Sequence, residues 1–150
     1  MKKKRILIAV ILLVVAILFI IFELNFLFSE SFYSKKGSLK YYLTFPPKLI
    51  RNAPIINNNG DVDYSYSVGD GVSPQFFKLS YLSQSSSEDI AKIIESYLSK
   101  FRFVVSGSGL TVCDMASYDN MNGTSSFEVY VCDAKRPMFT RVVLTYYPKI

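Results

Sequence analysis

The residues able to do chemistry in this chain are two cysteines, a set of carboxylates gathered near turn-forming stretches, and many tyrosines; there is no histidine. Cys113 ends the apolar-alternating stretch 110–113, and Cys132 ends 127–132. At strand periodicity Thr111 and Cys113 share one face of the first stretch, and Glu128, Tyr130 and Cys132 share one face of the second. If the two strands pair, both thiols lie on the same, more polar face. In an oxidising compartment they join as a structural disulfide worth ~3 kcal/mol in chain entropy. Their spacing is far from Cys-x-x-Cys and no basic cluster adjoins either sulfur, which argues against a redox pair.

The carboxylates Asp61, Asp63, Asp70, Asp114, Asp119, Glu128 and Asp133 fall around predicted loops. Two of them facing each other across a cleft would suit a glycan-hydrolase-like enzyme acting on envelope polymers. The plainer expectation is solvated turn residues. Asn57, Asn59, Asp61 and Asp63 alternate as oxygen ligands of a calcium loop do, but Gly60 comes two positions early and Val68 stands where the closing Glu belongs. An Asn-Gly turn accounts for the stretch with fewer assumptions. Without histidine no Ser-His or Cys-His nucleophile can be built, and no serine stands three residues ahead of a lysine. Gly107-Ser108-Gly109 does not open a helix, so it is no phosphate cradle. No cofactor or metal is expected, and the chain is not read as an enzyme.

Tyrosine is a different matter. Of 11 Tyr, Tyr64, Tyr66, Tyr81, Tyr130, Tyr146 and Tyr147 fall on predicted strands and form the candidate binding surface. The ordinary alternative is strand propensity and a core with wet edges.

These residues must be positioned by a small sheet. Val62, Tyr64, Tyr66 and Val68 alternate with polar residues, as do Phe77, Leu79 and Tyr81, and the glycine-rich stretch between them predicts an antiparallel hairpin. Residues 40–45 read as a first strand ended by Pro46-Pro47. Ser85 and Glu88 fit a capping box, and Ile90, Ile93, Ile94, Tyr97, Leu98 and Phe101 then recur at helical spacing. Strands over 102–106, 110–115, 127–132 and 138–147 follow, with a turn at Gly107-Ser108-Gly109 and a loop over 116–126. The expected fold is α+β: an antiparallel sheet with one amphipathic helix packed on one face.

Ahead of this domain, Lys2, Lys3, Lys4 and Arg5 precede an apolar run that is unbroken from Ile6 to Phe22. Carried on to Phe28, the helix would be ~34 Å long, enough to cross a bilayer. The run is too long for a cleaved signal peptide and no Ala-x-Ala site follows it. Residues 1–28 therefore read as a cytoplasmic basic flank and a transmembrane signal anchor, 29–39 as a linker and 40–150 as the domain. The positive-inside rule leaves the N-terminus in the cytoplasm and exports the domain to the periplasm or the cell exterior. From Ser29 onward there are 13 basic and 11 acidic residues, so the high pI argues little for nucleic acid. The expected partners are the lipid bilayer, through residues 6–28, and a protein of the envelope. The expected role is a single-pass envelope protein that binds another protein, in an assembly or as an inhibitor or immunity-type protein. Small-ligand or calcium binding at the 57–63 loop is the other alternative.

Overall fold

The computed structural model describes residues 2–27, 31–69, 71–110, 113–133 and 139–148; at 2–7, 9, 22–27, 110 and 133 the description covers the backbone alone. Two compact units make up the chain, Met1–Glu30 and Ser31–Ile150. The first is the helix α1 (Lys2–Leu27), which contains neither Gly nor Pro to break it. Its described side chains, at residues 8 and 10–21, are all exposed. Among the described residues no helix is long and apolar enough to cross a membrane, so the span expected over 6–28 does not follow from the fold.

The second unit is an α+β domain with a seven-stranded, fully antiparallel sheet. In chain order it runs β1 (Ser31–Lys35), α2 (Leu39–Leu43), α3 (Lys48–Arg51), β2 (Asp63–Ser67), β3 (Phe76–Ser83), α4 (Ser87–Ser99), β4 (Phe103–Leu110), β5 (Asp114–Asn120), β6 (Ser125–Asp133) and β7 (Thr140–Pro148). Across the sheet the order is β1-β2-β3-β7-β6-β5-β4, which puts β7 in the middle. The β2–β3 reversal passes through Gly69, where φ is +78° and a Cβ would sit 2.9 Å from the Gln75 nitrogen. Only glycine fits that turn without a shift.

Strand parity divides the sheet into two faces. Tyr64, Leu79, Leu144, Val129 and Ala116 form one row across five strands, and Tyr66, Phe77, Tyr146, Phe127 and Tyr118 form the next. The second row is a line of rings, with centroids 4.8 Å apart for Tyr66–Phe77, 6.3 Å for Phe77–Tyr146 and 6.4 Å for Tyr146–Phe127. This face carries the core, where Ile90, Ile94 and Leu98 of α4, Leu49 and Ile50 of α3 and Tyr41 of α2 pack against it. Polar anchors fix the helices there. Tyr97 donates to the Leu49 carbonyl at 2.7 Å, joining α4 to α3. Thr44 donates to the Tyr41 carbonyl at 2.8 Å, and its Oγ1 lies 2.6 Å from the Tyr64 hydroxyl, which ties α2 to β2.

Several elements depart from the sequence expectation, each for a local reason. Part of the expected linker, Ser31–Lys35, is an edge strand, because β2 supplies five residues of pairing that its polar composition does not advertise. The strand expected over 40–45 is instead α2, started by Ser38, whose Oγ accepts the Tyr41 N–H at 3.2 Å. The sheet face therefore carries three helices, α4 being the amphipathic one. Its N-cap is Ser86, accepting from the Asp89 N–H, one residue beyond the expected Ser85. Gly107-Ser108-Gly109 lies inside β4, after a bulge between Val105 and Gly107, instead of forming a turn. The chain reverses after Leu110, and β5 and β6 take up both ends of the expected 116–126 loop, leaving 121–124 as the turn.

Candidate functional site

The sheet face away from α2, α3 and α4 carries none of these three helices, and its side chains follow from the same parity. Ser65, Lys78, Thr145, Glu128 and Ser117 make one row, and Asp63, Ser80, Val143, Tyr130 and Met115 the next. Phe76 and Tyr147 face each other at one end with ring centroids 6.4 Å apart. Two adjoining clefts lie along this face and share Lys78 and Val143 in their walls.

The larger cleft, of ~430 Å³, is bounded by Phe76, Tyr130, Tyr147 and Val143, with Lys78 and Glu128 at its floor. Glu128 is engaged rather than free: its Oε2 accepts from the Tyr147 hydroxyl at 3.1 Å and from the Tyr130 hydroxyl at 3.4 Å. Burial, and then the Glu128 charge, push the Tyr147 phenol up to about 12, and the same two causes raise Tyr130. Both tyrosines therefore stay protonated donors at neutral pH. The arrangement is a fixed acceptor between two aromatic plates, suited to holding a surface.

The smaller cleft, of ~330 Å³, lies between Tyr33 and Arg141 over Ser65 and Ser80. Its carboxylate, Asp63, is bonded to the Lys35 ammonium at 2.6 Å, and Asp61 lies 3.4 Å from the same nitrogen. An ammonium thus sits where the imagined calcium would. Among the described residues no group of three His, Cys, Asp or Glu is placed to hold a metal ion. Lys78 and Arg141 make no ion pair among the described residues.

At the other end of this face Cys132 is joined to Cys113, with the Cα atoms 4.4 Å apart. The pairing comes about differently from the expectation. Cys113 lies just ahead of β5, and because Asp114 is opposite Val131, the residue before it meets Cys132 of β6.

The six candidate tyrosines do not share a surface. Tyr64 and Tyr81, at 1% and 3% exposure, are core residues, and Tyr66 and Tyr146 pack against that core from the same face. Only Tyr130 and Tyr147 reach the open face. The reason is parity: neighbours such as Tyr146 and Tyr147 must point to opposite sides of a sheet. Sequence reasoning missed Tyr33, Phe76 and Lys78; the adjacent pair Phe76-Phe77 was the available signal, since one ring of such a pair must leave the core. Of the candidate carboxylates, Asp114 and Asp119 are on β5, away from both clefts' walls, while Asp70 and the Asp133 side chain lie outside the described residues. No family model, curated protein or solved structure matches the chain.

Proposed function

We propose that this is a single-pass, membrane-anchored envelope protein whose exported domain binds another protein through the open face of its sheet. The observation that carries the reading is the pair of clefts on that face, walled by Phe76, Tyr130, Tyr147 and Tyr33 and lying on the side of the sheet away from α2, α3 and α4. Aromatic side chains with polar tips offer large contact area at small entropic cost, the usual make-up of a protein-binding centre. The disulfide agrees with an oxidising compartment. For the anchor, the support is α1 itself. Its described side chains are Ile, Val, Leu, Phe and Ala all round, with Leu12 64% and Phe19 62% exposed. A helix apolar on every side calls for an apolar surrounding.

The enzyme alternative draws less support. Two acids in one cleft are needed, and among the described residues each cleft has one: Glu128 engaged by two tyrosines, Asp63 by Lys35. The test is capture from gently solubilised membranes with the full chain and with F76A/Y130A. The open-face variant is expected to lose a partner that the parent retains, with its circular dichroism unchanged. Retention of the same partner by a folded variant refutes the face.

A further inference from the structure

We propose a second contact with lipid, made by the first part of the domain: residues 31–60 dock on a bilayer surface of anionic phospholipid through Leu39, Tyr42 and Phe45, together with Lys40, Lys48 and Arg51 of α2 and α3. The inference rests on the anchor reading of α1 only for bringing lipid near. The surface itself is argued from the domain.

Charge is the first observation. Residues 31–60 contain five basic residues and no Asp or Glu, whereas 61–150 contain eight basic and ten acidic residues. Lys40, Lys48 and Arg51 are exposed, and among the described residues none has a carboxylate partner. A single-sign set of exposed charges of this kind complements phosphate headgroups.

Apolar display is the second. Leu39 and Tyr42, three residues apart, share a side of α2, and the Phe45 N–H donates to the Tyr42 carbonyl at 3.1 Å, which carries that side onward. These three side chains are 77%, 55% and 86% exposed. They are not loosely placed, because Tyr41 of the same helix is buried against Tyr64, with ring centroids 4.8 Å apart, and meets the Tyr42 ring edge-on at 5.1 Å. The core thus fixes which side of α2 faces out.

Backbone strain is the third. Phe45 has φ of 47°, in the left-handed region, and precedes Pro46, which disfavours helical backbone in the residue before it. Glycine or asparagine would take this position at lower cost. The Phe45 ring, being 86% exposed, returns almost nothing to the domain's own packing. A costly residue with no internal return fits a contact outside the molecule. Aromatic rings at headgroup depth with basic residues beside them are the usual composition of such an interfacial contact. Leu39 follows Leu27, the end of α1, by 12 residues, so the same membrane is available to both.

The chain has no tryptophan, so one introduced Trp reports alone. Full-length F45W and V104W are reconstituted in vesicles of phosphatidylcholine with phosphatidylglycerol, with and without brominated acyl chains. Val104 is exposed on β4, the edge of the sheet opposite β1 and outside residues 31–60. The expected result is blue-shifted emission and bromine quenching for F45W and neither for V104W. Quenching of F45W should be lost on adding K40E/K48E/R51E. Each basic residue removed should weaken binding to the anionic surface roughly fivefold. An unquenched F45W in a chain that stays with the vesicles overturns the docking and leaves the patch to a protein. Equal quenching of F45W and V104W also overturns it. A chain stripped from the vesicles by carbonate overturns the anchor instead. Docking is then decided by whether the same F45W chain binds added anionic vesicles at neutral pH.

Discussion

Replacing both cysteines by serine isolates what the covalent bond between the β5 end and β6 contributes. The bridged residues are 19 apart in sequence, and the chain-entropy relation for a loop of that size gives about 3 kcal/mol at room temperature. Both cysteines are only partly buried, so the side-chain change itself adds little. The bridge also holds the outer hairpin, since β4 pairs only with β5, and β5 reaches the rest of the sheet through β6. Urea unfolding of full-length C113S/C132S in a fixed detergent, followed by near- and far-ultraviolet circular dichroism, reads the cost. With a slope of roughly 1–3 kcal/mol per molar urea, the midpoint should fall by roughly 1–3 M. Reducing the parent protein should reproduce the shift. A loss under about 1 kcal/mol, or a parent unaffected by reductant, would refute the assignment of this stability to the bridge.

Three other outcomes follow from the packing. Leu144 is 1% exposed between Leu79 and Val129, so L144A should lose ~2–5 kcal/mol in the same urea titration. S86A should cost about 1 kcal/mol by thermal or urea unfolding, and S85A distinctly less, because only the Ser86 oxygen accepts the Asp89 N–H; the reverse order would return the cap to Ser85. Tyr64, Tyr81, Tyr97 and Tyr147 are pushed up to about 12 chiefly by burial. A phenol raised above its unfolded value of about 10 holds its proton more tightly when folded, so its contribution is complete below pH 10 and lost as pH rises toward 12. Tyrosinate absorbance against pH should therefore show these groups ionising together with alkaline unfolding. Four phenols ionising near 10 in a folded protein would contradict their burial.

The hairpin of β2 and β3, the face of α4 and the strands β6 and β7 were legible because each buries one face against one kind of surface, and periodicity reports that directly. β1 was not: Ser31, Ser34 and Lys35 have little strand propensity, and the pairing comes from β2, far along the chain. α2 was hidden for a similar reason, since Leu39-Lys40-Tyr41-Tyr42-Leu43 suits either strand or helix until Ser38 caps it. The disulfide partners could be named from the sequence, whereas the chain reversal that brings them together could not. The open face was only half legible. Tyr130 and Tyr147 stood out by type, but which tyrosines share a side depends on register across strands, and a one-residue change of register moves a side chain to the other face.

β7 lies between β3 and β6, yet it is made after both of them. Until Thr140–Pro148 arrives, β1–β3 and β4–β6 are two separate ribbons, each ending in an unsatisfied row of backbone donors and acceptors. A nascent chain therefore waits, unzipped down its centre, until β7 has been synthesised. Shortening it by those nine residues would remove the seam and expose two adhesive edges to proteases and to neighbouring chains.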